Sequence, residues 1–280
     1  MGGVKWRLLH GVDQKRLSEA RAQAHYAAQW LARAARAYIP ARIDDSHTNL
    51  GWDDALGGLT THAFPAGTRL GLKIADLTLL LLDSGRIDGP DALPLDGQRD
   101  ADARAWLGER LSAIGLDPRA LDTQLPYEMP AHPIASGAAY AVTNLDEPLS
   151  ELSTWHSNAH AMLNAMRQEI AAQKLDAPPV RCWPHHFDLD TLISVRADHT
   201  MGVGFSPGDG YYDEPYFYVS MYPHPDVVTL PGLPAIGHWH TKDFHAAVAP
   251  AHRILKARGQ ESALLAFFSV SINAAIRALS

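Results

Sequence analysis

Hydrophobic positions recur every three or four residues in four stretches of this chain, and alternate or run together in several shorter ones. Residues 14–39 carry Leu17, Ala20, Ala24, Ala27, Ala28 and Leu31 at helical spacing, with Asp13 placed as an N-cap and Pro40 as a stop. Residues 100–114 predict a second helix, ended by Gly115 with Pro118 beyond it. A third covers 147–174, where Leu152, Trp155, Ala159, Met162, Leu163, Met166 and Ile170 share one face ahead of Pro178-Pro179. The fourth, 262–279, sets Leu264, Leu265, Phe268, Ile272 and Ile276 in one stripe, the pattern of an amphipathic helix and not of a membrane anchor.

Between the helices the pattern changes to strands. In the first half they are expected at 59–64 and 68–83, joined by a Pro65-Ala-Gly67 turn. A second turn, Asp83-Ser-Gly85, leads into a Pro-, Asp- and Gly-rich loop over 88–97. In the second half strands are expected at 180–182, 188–195, 202–205 and 216–222. Residues 124–133 hold too many prolines for regular structure and read as an extended connector. The order helix, strands, helix thus occurs twice, with an Ala-His pair in each first helix, Ala24-His25 and Ala159-His160. The expected fold is α+β with two related halves, 13–140 and 147–280, each with antiparallel strands flanked by helices, in one compact unit.

Composition narrows the function classes. Charged side chains number 24 basic and 31 acidic, with no basic stripe to neutralise phosphates, so nucleic acid is not an expected partner. A single cysteine, Cys182, rules out an internal disulfide framework and a cysteine-only zinc site. The N-terminus reaches charge without an apolar stretch, and Trp6 breaks the myristoylation pattern. No membrane association is expected, and a cytoplasmic location is; a homo-oligomer is compatible with the composition.

Candidate chemistry lies with histidine. Ten of the fifteen fall between His156 and His252, many of them in three knots. His156 and His160 sit one helical turn apart, the spacing that presents two nitrogens to one zinc ion, although Ser157 stands where a metalloprotease helix needs Glu. His186 and Asp188 follow Pro184 at a strand start, where alternation puts them on one face and lets the carboxylate orient a general-base imidazole. His238 and His240 flank Trp239 on an extended segment, with Asp243 and His245 close by. Those two rings and a third from another segment can close a zinc or iron site. The plain alternatives are a partly buried helix face, a carboxylate bonded to local backbone, and an exposed edge strand. Gly204-Phe205-Ser206-Pro207-Gly208 lacks the Lys of a phosphate loop and the Gly-x-Ser-x-Gly of an esterase elbow, and reads as a hairpin connection. The run Tyr211, Tyr212, Tyr216, Phe217, Tyr218 and Tyr222 can wall a pocket, but a sheet face packed on helices is the expected use.

Several ordered strings carry a resemblance. Gly58-Leu59-Thr60-Thr61 precedes a Pro-x-Gly turn, and Pro179-Val180 precedes Phe187-Asp188-Leu189. Then come Gly204-Phe205-Ser206-Pro207-Gly208, Glu214-Pro215-Tyr216-Phe217-Tyr218, Tyr222-Pro223-His224-Pro225 and Ala263-Leu264-Leu265-Ala266-Phe267. Over most of its length the chain resembles a bacterial family of uncharacterised proteins, domain-of-unknown-function family 5996. The resemblance implies no activity. Trp183-Pro184-His185-His186 departs from the Trp-Gly-Ser stretch of that family, so it implies no shared role for His185 and His186 either. Two function classes follow from the residues. One is a small-molecule-binding protein or enzyme with a pocket lined by His186, Asp188, His238 and His240, with a divalent metal such as zinc as a possible cofactor. The other is a non-catalytic interaction or structural protein without metal.

Overall fold

Asp13 caps the first helix as its position predicts, its side chain accepting from the Arg16 amide at 3.0 Å in a computed structural model that describes residues 5–65, 67–82, 91–226 and 230–280. The expected Asp83-Ser-Gly85 turn, residues 88–90 of the following loop, Ala66 of the first turn and residues 1–4 lie outside the described residues. The chain forms two compact units. The first holds residues 12–153 and 182–187; the second holds 5–11, 154–181 and 188–280. Each contains an antiparallel sheet and helices, so the fold is α+β, and the paired sheets are consistent with duplication.

In the first unit α1 (Gln14–Tyr38) lays Ala20, Ala24, Ala27, Ala28 and Leu31, all fully buried, toward the core. Alanine has no side-chain rotamer to lose and lets a neighbouring element approach closely. The sheet runs in sequence order: β1 (Gly51–Asp53), β2 (Gly58–Thr60), β3 (Arg69–Lys73), β4 (Thr78–Leu82) and β5 (Ala92–Pro94). The single strand expected over 68–83 is therefore two. Leu77 turns the chain at φ 45° without Gly or Pro, and Lys73 Nζ bridges the bend to Asp76 Oδ2 at 2.5 Å. Helix α2 (Asp100–Ala113) starts in a capping arrangement in which Asp102 accepts from the Arg99 amide at 2.8 Å. Residues 124–132 are irregular, as their prolines require. The chain leaves this unit inside α3 (Asp146–Ala172), after Ser153.

The second sheet has the order β10-β11-β9-β8-β7-β6, from β10 (His238–His240), β11 (Ala246–Pro250), β9 (Tyr216–Tyr222), β8 (His199–Ser206) and β7 (Asp188–Arg196) to β6 (Arg181–Trp183). Strand alternation divides it cleanly. Leu189, Phe205, Phe217 and Ala249 lie in one register row, and α5 (Gln260–Leu279) packs on their face. There the Phe217 ring meets Phe268 at 5.8 Å, and the Trp155 indole stacks on Phe205 at 6.0 Å and 10°. Among the described residues α5 is the one helix long and apolar enough to cross a membrane, and Leu264, Phe267, Phe268 and Ile272 on it are buried. The opposite sheet face carries the row Asp190, Gly204, Tyr218, Val248 and His238. A short helix, α4 (Ala251–Ile254), follows β11.

Candidate functional site

Alternation sends Tyr216, Tyr218 and Ser220 to the face opposite Phe217, so the aromatic run is not chiefly a helix-packing surface. Phe217 packs under α5. On the opposite face Tyr216 is buried with Ala246 and Val248, while Tyr212, Tyr218 and Phe244 pack against that cluster and the phenol tips reach polar partners. The Tyr218 ring leans across Gly204 and its hydroxyl donates to Asp188 Oδ2 at 2.7 Å. Only glycine permits this, because a β-carbon at 204 would stand 2.3 Å from Tyr218 Cζ. Burial, with the charges of Asp188 and Asp190 next, holds the Tyr218 phenol well above its usual range. Tyr216 is raised for the same first reason, and its hydroxyl donates to Asp209 Oδ2 at 2.5 Å. The other Asp209 oxygen accepts from the amides of Tyr211 (2.8 Å) and Tyr212 (3.0 Å). One carboxylate thus locks the loop that carries Tyr212 to the β9 strand.

Tyr212 is the centre of the arrangement. Its hydroxyl oxygen lies 2.8 Å from His238 Nε2 and 2.8 Å from His240 Nδ1. The direction of each bond follows from one neighbour. The Lys242 carbonyl, 2.6 Å from His240 Nε2, can only accept, so His240 carries its proton on Nε2 and offers a lone pair at Nδ1. Tyr212 must then donate to His240, and its oxygen accepts from His238 Nε2–H. The result is a directed chain of three polar groups spanning β10 and the 209–212 loop. Burial raises the Tyr212 phenol, with Asp209 adding to the effect. Burial lowers His238, and the positive charge of Arg253 opposes its protonation further. Both shifts favour the neutral forms of Tyr212 and His238. Among the described residues Nδ1 of His238 is buried with no hydrogen-bond partner. Aromatic contacts fix the outer end: His240 stacks on Phe244 at 4.1 Å, and Tyr211 meets both rings.

A second oriented imidazole stands at the start of α4. His252 Nδ1 donates to Glu214 Oε1 at 2.6 Å while its amide donates to Oε2 at 2.7 Å. This leaves Nε2 as the acceptor on a half-exposed side chain. Sequence reading singled out neither this pair nor Tyr212 as a chemical centre. Glu214 and His252 are 38 residues apart, and Tyr212 reaches His238 across 26. The one local signal was Gly208-Asp209-Gly210, a turn in which an Asp bonds to backbone two residues on.

The other expected pairings come out differently. His186 does not share a strand face with Asp188. Residues 184–187 form a turn in which the amides of His186 and Phe187 both donate to the Trp183 carbonyl, and β7 begins only at Asp188. Phe187 adopts φ 61°, which reverses the chain and removes the i, i+2 alternation the pairing needed. His186 is exposed in the first unit, its ring 4.2 Å from that of His185. His156 and His160 do lie one turn apart on α3, but His156 is fully buried on the apolar side of the second sheet, edge-on to Phe205 at 5.4 Å. His238 is on the opposite sheet face, so these two knots do not converge. Among the described residues no group of three or more His, Cys, Asp or Glu side chains is placed to hold a metal ion. Cys182 is fully buried, its amide and carbonyl bridged to Leu50.

The first unit contributes one further histidine. His25 Nε2 donates to the Pro184 carbonyl at 2.7 Å while its ring stacks on Phe187 at 5.1 Å and 12°. Burial pulls its pKa down to about 4. The same carbonyl accepts from Gln29 Nε2 at 3.0 Å, so the two side chains tie the 184–187 turn to α1. No family model, no curated protein and no solved structure matches this chain.

Proposed function

We propose that this protein binds a small polar molecule at the β10 edge of its second sheet and exchanges protons with it through Tyr212, His238 and His240. The observation that carries the reading is the single phenol oxygen held 2.8 Å from two ring nitrogens, with the direction of both bonds dictated by the Lys242 carbonyl. A chain of neutral donors and acceptors passes a proton by small shifts. A proton gained at His238 Nδ1 is matched by passage of its Nε2 proton to Tyr212 and of the Tyr212 proton to His240 Nδ1. This leaves the charge on a His240 imidazolium whose Nε2–H still donates to the Lys242 carbonyl. The raised phenol and the lowered imidazole suit this role, since neither is charged at neutral pH. His252, oriented by Glu214, supplies an adjacent exposed acceptor. Asp188 accepts from Tyr218 on the same sheet face.

A second reading replaces the shared proton with a divalent metal such as zinc. His240 is anchored through Nε2 to a carbonyl, the outer contact that metal-ligating histidines use, and the phenol would be a third donor. Burial of Tyr212 disfavours the phenolate that this needs, so the proton reading stands first.

The test is ligand-observed NMR with a library of small polar fragments against wild type, Tyr212→Phe and His240→Gln, with and without Zn²⁺. Fragments that bind wild type and lose about tenfold or more, on the order of 1.4 kcal/mol, in Tyr212→Phe support the proton site. Binding that requires Zn²⁺ selects the metal reading. Fragments that bind all three proteins alike, or none that bind, leave the interaction role and contradict the proposal.

A further inference from the structure

The first unit contains a cavity of about 560 Å³ that the Tyr212 site does not explain. Its floor is one stripe of α1, where Tyr26, Gln29, Trp30 and Arg33 follow at the i, i+3, i+4, i+7 spacing. This stripe is distinct from the alanine stripe that packs the core. Asp100 at the start of α2 and Tyr127 of the connector complete the part of the wall that matters. Tyr26, Gln29 and Trp30 are each less than a tenth exposed, yet they border this space. The space is a half-open cleft of the size that small-molecule sites have, lined by large polar and aromatic side chains.

Most polar tips here are already engaged, which defines what remains. Tyr26 donates to the Pro130 carbonyl at 2.6 Å, and Tyr127 donates to Gln29 Oε1 at 2.7 Å. Gln29 spends its amide protons on the His25 and Pro184 carbonyls. Asp100 accepts from Trp30 Nε1 at 3.2 Å and Tyr140 at 2.9 Å, both through Oδ1. Its Oδ2 accepts nothing among the described residues. Arg33 uses one nitrogen on the Thr123 carbonyl at 2.9 Å and holds its guanidinium 5.8 Å from the Trp30 ring. Its other N–H groups make no hydrogen bond among the described residues. The cavity therefore offers the remaining Asp100 oxygen, the Glu128 carboxylate at its exposed side, one guanidinium and three aromatic rings, and Asp100 and Arg33 are not spent on each other.

We propose that this cavity binds a small zwitterion, its cationic nitrogen held by Asp100 and the aromatic side chains Tyr26, Trp30 and Tyr127, and its carboxylate held by Arg33. Aromatic faces attract cationic nitrogen, and a guanidinium recognises a carboxylate with two parallel bonds. Amino acids and betaines share this chemistry. The test is isothermal titration calorimetry of the full chain with L-phenylalanine and with glycine betaine as separate arms. L-phenylalanine methyl ester, which lacks the carboxylate charge, and 3-phenylpropionate, which lacks the nitrogen, serve as single-charge probes. The zwitterion that binds identifies the source, and each single-charge probe binds at least about tenfold more weakly than L-phenylalanine if the amino acid is the ligand. Arg33→Gln weakens the zwitterion and leaves the methyl ester unchanged. No heat from either zwitterion, single-charge probes as tight as an L-phenylalanine that binds, or an Arg33→Gln protein that binds the zwitterion as wild type does would each overturn the proposal. The comparison among probes uses wild-type protein alone, so it stands even if the variant fails to fold.

Discussion

Adding one methyl group at Gly204 should dismantle the polar sheet face. A β-carbon there would stand 2.3 Å from Cζ, 2.4 Å from the hydroxyl oxygen and 2.7 Å from Cε1 of Tyr218. Carbon atoms in contact sit roughly 3.5–4.0 Å apart, so the ring must move by more than about 1 Å. That displacement carries the hydroxyl away from Asp188 Oδ2, now 2.7 Å distant. Overpacking costs about 1–3 kcal/mol, and a lost hydrogen bond to a charged group about 1.5–3 kcal/mol. Alanine is better than glycine within a strand by roughly 0.5–1 kcal/mol, which offsets part of this. Gly204→Ala should therefore destabilise by about 3 kcal/mol in urea unfolding at neutral pH. The cost is steric, so it should fall below about 1 kcal/mol when Tyr218→Ala removes the ring. An equal cost in both backgrounds, or a cost under about 1 kcal/mol in wild type, would refute the reasoning.

Two further perturbations follow from the geometry. His25 has a folded pKa of about 4 against an ordinary 6.5, so the unfolded chain binds its proton more readily. Its contribution is complete above pH 6.5 and is lost as pH falls from 6.5 toward 4, by up to about 3 kcal/mol at roughly 1.36 kcal/mol per unit. Urea unfolding of wild type minus that of His25→Gln across this window reads the difference; parallel curves would show that His25 is not held neutral. Asp209→Ala removes the acceptor for the Tyr211 and Tyr212 amides and the Tyr216 hydroxyl. Amide exchange at residues 211 and 212 should accelerate at least about tenfold, with Asp209→Asn intermediate, while β8 amides stay protected. Unchanged exchange would mean that the loop is held by something else.

The helices were legible because their signals are local. Asp13 and Pro40 bound α1, and the Leu264, Phe268, Ile272 spacing marks α5, within one residue or two of where they lie. The strands of the first sheet were less so. The bend between β3 and β4 uses Ala75, Asp76 and Leu77, with a positive φ at a leucine that no propensity marks. His186 was misplaced for a related reason: Phe187 takes a left-handed conformation that bulky residues rarely adopt, and its burial and stacking on His25 hold it there. The Tyr216-Phe217-Tyr218 alternation did contain the division of the second sheet into two faces, and the small Gly204 opposite Tyr218 agrees. What alternation cannot show is convergence. His238 and His240 were legible as a same-face pair, but the phenol between them comes from a loop 26 residues earlier, and only tertiary folding brings it there.

Long-range ¹H–¹⁵N correlation of the histidine ring nitrogens tests the proton chain most directly. At neutral pH His240 and His238 should both show a protonated Nε2 and an unprotonated Nδ1, and Tyr212→Phe should shift the Nδ1 resonance of His240 and the Nε2 resonance of His238. A His240 ring protonated at Nδ1, or two rings that ignore loss of the Tyr212 hydroxyl, would contradict it.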